Sequence, residues 1–527
     1  MKQLWYGGPI YTMEREMETV EAVLVEDGTI QAVGNLDELK ELSDDQVNLN
    51  GAAMYPGFVD SHIHLLGQGE KLMRLDLTKA QSADEMLEML RQAAEKTPDG
   101  KWLFGDGWNE NLFADKRIPS IAALDAIHSG PMLLNRVCRH AVLVNTAALK
   151  LGGINEHTIA PQGGEIGRDE NGKLNGLLYD QAMNAVSDAQ PKEGEEYVTY
   201  LTEALDLAIR QMQSFGLTGA HTEDLDYFGS YQNPLTAYKN TIGKKHHFRV
   251  TLLRHNAVFE QMMRERPPFD EPFIEPGPMK IFADGAFGGS TAALSSPYTD
   301  NENNAGLLIQ TDEELASLVQ QARMYNEAVA VHIIGDRAAE QVIHVLEMYP
   351  VEPGKRDRLI HCSMLRPDLI ERLKRLSVVL DLQPAFVPSD FPWVMDRLGE
   401  ERLQWSYACR SLINEGFMCA AGTDAPVETI NPLWTIYAAV ERKHPGDEHD
   451  GYLPEEKISR FEAIQMFTVG SAQAICKEHE RGLIKKGYVA DFSIFDRDLF
   501  AGSTEDLLKA KAVKTVVDGR IVYERRN

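Results

Sequence analysis

The stretch YPGFVDSHIHLLGQG, residues 55–69, ends an apolar run with two histidines one residue apart. Successive side chains of a β-strand alternate between faces, so His62 and His64 share one. Two neutral imidazoles aimed at one place are the beginning of a divalent-metal site. Other apolar runs also end in polar groups: Lys280 in PMKIFADG, His332 in AVAVHIIGD, His361 in RLIHCSM and Asp424 in CAAGTDAPV. Imidazoles with oxygen donors suit Zn²⁺ and related ions, each ring binding through one nitrogen while the other seeks an acceptor. A lysine ammonium is no ligand, but its carbamate, made with CO₂, is a carboxylate able to bridge two ions. Taken singly, each residue also has a structural reading. His332 and His361 would serve as packed core histidines, Asp424 as a helix cap and Lys280 as a charge on the rim. Their recurrence at the ends of apolar runs is what favours a site.

The elements that position these residues alternate. Short apolar runs such as FRVTLLRH, AVAVHIIGD and VVLDLQPAF are separated by stretches with helical spacing, such as TDEELASLVQQARMYNEA. Strand–helix alternation with polar residues at the strand ends is the pattern of a parallel barrel, whose reacting groups lie at the C-terminal ends of its strands. One β/α unit takes roughly 30 residues. His332 and His361 lie 29 residues apart, one unit, and His361 and Asp424 lie 63 apart, two units. Lys280 and His332 are 52 apart, one unit with a long loop. From His64 to Lys280 there are 216 residues where three units need roughly 90 to 100. The surplus matches an irregular segment at residues 75–200, read as an inserted mixed lobe. The six residues then fall on strands 1, 4, 5, 6 and 8.

Both chain ends are β-rich. Asp27-Gly28 and Asp518-Gly519 each separate two strand-like runs, a strong hairpin signal. The expected organisation is a small β domain built from residues 1–55 and 479–527, around a barrel of residues 56–478 that carries the inserted lobe. A composition of 43% hydrophobic and 25% charged residues fits a globular protein with a large core. The net charge of −27 argues against nucleic acid or an anionic membrane as partner and leaves a small-molecule substrate. Five cysteines without a C-x-x-C, no signal-type apolar start and no run of membrane-spanning length point to the cytoplasm.

The ordered set PGFVDSHIHL, KIFADGAFGGSTA, VAVHIIGDRA, RLIHCSML and GTDAPV resembles the amidohydrolase superfamily, and specifically its YtcJ-like branch. The insertion is similar to that branch in GDGWNENLF, NRVCRHAVLVNTAAL and NGLLYDQAM, and the tail in RGLIKKGYVADFSIFD. The resemblance implies a distorted (β/α)₈ barrel with a small β-sandwich domain, one or two divalent ions, zinc foremost, and hydrolysis of a C–N or ester-type bond. It places one ion on His62, His64 and Asp424 and a second on His332 and His361, with Lys280 as a carbamylated bridge. It also makes Asp424 the proton carrier of the reaction and implies a homodimer. Some members of the branch are described as deformylases of N-substituted formamides. Where the branch often has Asp-Gly-His, this chain has Cys138-Arg139-His140.

Substrate contacts are expected from His140 and Trp108 in the insertion and from Asp284 in the Gly-rich loop ADGAFGGST. That loop has neither phosphate- nor dinucleotide-binding spacing. His221, at the end of a probable second strand, is read as lining the pocket rather than as a ligand, and Cys362 as core. Deaminases on this barrel usually carry a glutamate three residues after the strand-5 histidine, and here position 335 is glycine. Lactone or phosphoester hydrolysis on a similar metal pair stays open as an alternative. A non-catalytic binding protein on the same fold is disfavoured by the completeness of the six-residue set.

Overall fold

The computed structural model describes every residue except 115, 138–140, 162, 270 and 527. Its central feature is a run of eight parallel strands: β1 Phe58–Ile63, β2 Leu217–Thr222, β3 Arg249–His255, β4 Ile274–Phe282, β5 Val329–Ile333, β6 Asp357–His361, β7 Val378–Leu382 and β8 Cys419–Ala421. Each strand pairs with the next, in unbroken order from β1 to β8. These strands are buried along nearly their whole length and rich in Val, Ile, Leu and Ala, as expected for a sheet covered on both faces. Helices such as Asp312–Met324 and Asp336–Met348 fill the crossovers, the first of them started by a Thr311–Glu314 capping box.

The barrel closes where the chain leaves β8. The Asp424 N–H donates to the carbonyl of His62 at 2.7 Å, and Thr423 donates to Asp60 through its N–H at 3.0 Å and its hydroxyl at 2.6 Å. Gly422 permits this seam, because a Cβ there would lie 2.5 Å from the His62 nitrogen. The fold is therefore a nearly closed (β/α)₈ barrel with additional sheets.

Strands from both chain ends hydrogen-bond into one eight-stranded sheet, joined where Ala53–Pro56 runs antiparallel to Phe492–Phe495. The Asp-Gly turns form as read: Asp27 and Gly28 have φ of 49° and 73°, and Asp518 and Gly519 have 55° and 74°, the left-handed values of a tight hairpin. Trp5, Met54, Phe492 and Val516 pack the core of this sheet.

The chain divides into two compact units, one of Met1–Gly67 with Ala208–Asn527 and the other of Gln68–Leu207. The second has its own six-stranded sheet, from Leu75–Asp76 through Leu103–Trp108, Met132–Arg136, Ala141–Val144 and Leu174–Asp180 to Gly164–Arg168. Among the described residues, no helix is long and apolar enough to cross a membrane.

Candidate metal centre at the barrel mouth

The six strand-end residues meet at the C-terminal end of the barrel. His62 and His64 leave β1 with ring centroids 5.7 Å apart, and their Nε2 atoms lie 3.5 and 3.4 Å from Oδ1 of Asp424. One ligand atom from each of the three falls within 4.8 Å of the others. His361 continues the cluster, its ring 5.4 Å from that of His62 and 4.5 Å from that of His332. Lys280, on β4, is wholly buried, with Nζ 4.3 Å from the Phe282 ring centroid. His361 and Asp424 have φ of 73° and 55°, values unusual for residues other than glycine. They take the chain off each strand end at the point where the side chains converge, the kind of backbone strain that gathers at working sites.

Hydrogen bonds fix which nitrogen of each ring is free. His64 Nδ1 donates to the carbonyl of Glu223 at 2.8 Å, which leaves Nε2 facing Asp424. His332 is reversed: Nε2 donates to the Gly285 carbonyl at 3.0 Å, so Nδ1 is the open atom. His361 Nδ1 lies 2.6 Å from Gln383 Oε1, leaving Nε2 open. His62 Nδ1, Lys280 Nζ, Asp424 Oδ1 and both oxygens of Glu223 are buried without any hydrogen-bond partner. Buried polar groups are normally satisfied, so this concentration of open atoms marks a place built for something else to bind.

The electrostatics agree with a donor set. Burial holds His361 down to about 4 and pushes His332 and His62 well below the ordinary imidazole value, which keeps these rings neutral. Burial also brings the Lys280 ammonium down to about 8. On Asp424 burial works toward the neutral acid, but the His64 ring, His361 and Lys280 outweigh it and hold the carboxyl below its usual value. His64 is the exception among the rings. Burial opposes its charge, yet the Asp424, Asp224 and Glu223 carboxylates raise it to about 9.

The expected substrate contacts fare differently. Trp108 is 1% exposed, donates its indole N–H to the Leu134 carbonyl at 2.9 Å and packs among Leu77, Met86 and Phe113 in the core of the Gln68–Leu207 unit. Its side chain is taken up in packing within that unit. The oxygens of Asp284 accept backbone N–H groups from Ala293, Ile334 and Gly335 at 2.9, 3.0 and 2.8 Å, and Oδ1 lies 3.8 Å from His332 Nε2. It ties the loop after β4 to the end of β5. His140 lies outside the described residues. His221 sits deeper in the barrel, 3.4 Å from Nη1 of Arg358, and Cys362 is buried beside the same centre.

Three contributors escaped the sequence reading: Gln383, Asp284 as a loop tie, and Glu223. Strand alternation places Glu223 on the face of His221, two residues before it, so that one signal was present in HTED.

Comparison with known proteins follows the same lines. A family model described as "Amidohydrolase family" matches residues 45–523. The chain is 44% identical to YtcJ of Bacillus subtilis (strain 168) over 532 residues, covering 100% of both chains. It is 26% identical to the N-substituted formamide deformylase of Arthrobacter pascens, covering 98% of this chain and 97% of that one. Among solved structures, an uncharacterized metal-dependent hydrolase from Pyrococcus furiosus superposes with a TM-score of 0.80 at 26% identity, over 95% of this chain and 100% of that one.

Proposed function

The chain belongs to the amidohydrolase family, in its YtcJ-like branch, and on that premise we propose that it hydrolyses a non-peptide C–N bond in a small amide or formamide-type substrate. The observation that carries the reading is the convergence of His62, His64 and Asp424 within 4.8 Å at the barrel mouth, beside buried atoms that have no other partner. Two nitrogens and a carboxylate oxygen are a donor set for a divalent ion, zinc before others. His332 through Nδ1 and His361 through Nε2 would hold a second ion. Lys280 would join the two as a carbamate. Its buried amine, brought down to about 8, is available unprotonated near neutrality; it combines with CO₂ to give a carbamate and a proton, replacing a buried cation with an oxygen-donor anion.

When bound, such ions acidify a coordinated water and polarise the substrate carbonyl. The rest falls to the chain. Asp424, ionised and fixed to β1 through its own N–H, accepts the proton of the attacking water and passes it to the departing nitrogen. Gln383 and the Gly285 carbonyl hold the His361 and His332 rings in their tautomers. The kinship to a formamide deformylase supports formamides as the first substrates to try.

The test is a panel of N-substituted formamides, N-acyl amines, lactones, phosphoesters and amino-heterocycles offered to the zinc-reconstituted chain, with chromatographic detection of products. The expected result is amine and carboxylate in equal amounts from a formamide or amide. Turnover confined to lactones or phosphoesters, or ammonia released from a heterocycle, would overturn the assignment.

A further inference from the structure

The loop that follows β2 carries three acids, Glu223, Asp224 and Asp226, and they are treated differently. Asp224 Oδ2 accepts hydrogen bonds from Thr222, Tyr238 and the N–H of Leu66. Asp226 lies 3.4 Å from His255 Nδ1. Glu223 is 0% exposed, and neither side-chain oxygen has a hydrogen-bond partner. Its backbone is pinned at both ends to the H-x-H segment: its N–H donates to the Ile63 carbonyl at 3.1 Å, and its carbonyl receives His64 Nδ1. The opposite charges that face the carboxylate are Lys280 and His64, while Asp224 and Asp226 face it as like charges. A carboxylate without partners in a dry interior is costly, and a chain keeps one where a cation arrives to meet it.

We propose that Glu223 is an additional anionic group of the metal centre, one that completes the charge balance of the ion held by His62, His64 and Asp424. This inference rests on the metal-centre reading given above. The arithmetic of charge supports it. Two divalent ions bring four positive charges, and Asp424 with a carbamate on Lys280 returns only two negative ones. Carbamylation also removes the ammonium that faces Glu223 in the metal-free chain. The carboxylate is then left facing His64 and the ions, and a site excluded from water amplifies the attraction. Glu223, which has no hydrogen-bond partner in the metal-free chain, is thereby left to the ions once they bind.

The experiment is a zinc titration of metal-stripped full-length protein in competition with a chromophoric chelator, comparing wild type with Glu223→Gln and Glu223→Asp. Glu223→Gln is expected to weaken the more loosely held zinc by about 10-fold or more, the scale seen when a partner of a metal centre is lost. Glu223→Asp, which keeps the charge, is expected to recover most of that loss. Thermal melting of the metal-free proteins provides the control for folding: Glu223→Gln melts no lower than wild type, because it exchanges a buried side chain without hydrogen-bond partners for a neutral one of the same shape. Zinc affinity unchanged in Glu223→Gln, or lowered only together with a metal-free melting point well below wild type, would overturn the proposal and leave Glu223 as a counter-ion of Lys280 alone. Wild-type protein that takes up no zinc would remove the metal-centre reading itself, a different failure seen in a different sample.

Discussion

Two sets of buried charge occupy successive levels of the same barrel, and they are built on opposite rules. In the deeper set, Arg358 and Asp381 are 0% exposed and form an ion pair through Nη2, although Arg358 Nε has no hydrogen-bond partner. Arg358 also donates to the Ser61 carbonyl and contacts His221, while Ser61 donates to Asp381 at 2.5 Å. One step further along the strands lie His62, Lys280 and Asp424, also buried, each with an atom that meets no hydrogen-bond partner. Burial is common to both levels, so burial alone does not identify a site. The difference lies in pairing: at the deeper level cation and anion meet directly, whereas Lys280 at the upper level has no ion-pair partner among the described residues and several neighbouring donor and acceptor atoms stay open.

This contrast is exposed to direct attack, first at the open level. Asp424→Asn keeps the shape of the side chain but gives up the negative charge and the proton acceptor. A loss of about 10³-fold or more in kcat is expected, with melting temperature nearly unchanged in the metal-free protein. A variant with near wild-type turnover would take Asp424 out of the reaction. At the paired level the loss should appear in stability instead. Arg358→Met strands the Asp381 carboxylate in the barrel and is expected to cost about 3–5 kcal/mol in urea denaturation, whereas replacing both members by apolar residues should recover most of it. If Arg358→Met spared stability and abolished zinc binding, the two levels would be one site.

Gln383 connects the levels, since it positions His361 and its own amide donates to the Asp381 carbonyl at 3.1 Å. Gln383→Leu is expected to weaken zinc binding by about 10- to 100-fold, read by chelator competition, with little change in the unfolding of the metal-free chain.

Asp390 offers the smallest and most graded test. It accepts a hydrogen bond from Tyr407 at 2.6 Å, yet burial raises its carboxyl to about 6. A raised acid is costly when ionised. The penalty is present in full above pH 6 and is relieved as the pH falls toward the unfolded-state value near 4. Asp390→Asn should therefore melt higher than wild type at pH 7.5, by a margin that shrinks at pH 5. An equal margin at both would place the effect elsewhere than in charge.

Much of this was legible in the chain before any coordinates. Spacing between His64, Lys280, His332, His361 and Asp424 gave a parallel barrel with a large insertion, because β/α units have a nearly constant length. The Asp-Gly turns were readable because few residue pairs adopt two left-handed conformations in succession. Pairing was not readable. Nothing in LDLQPAF says that Gln383 reaches His361, or in FADGAF that Asp284 accepts backbone N–H groups of distant segments; such facts depend on how strands register across the barrel. Trp108 illustrates the converse. A tryptophan in a Gly-rich stretch reads alike as a pocket wall and as a core anchor, and nothing in the chain announces its burial or its indole bond to Leu134.

The central claim, that the unpaired level of the barrel is a metal centre, is tested most directly by metal content. Protein purified without added metal or chelator would be measured by plasma mass spectrometry, before and after reconstitution with zinc, manganese or iron. Two equivalents of divalent ion per chain, lost together with activity on chelation, is the predicted result. A chain that remains empty after reconstitution with all three would contradict the account.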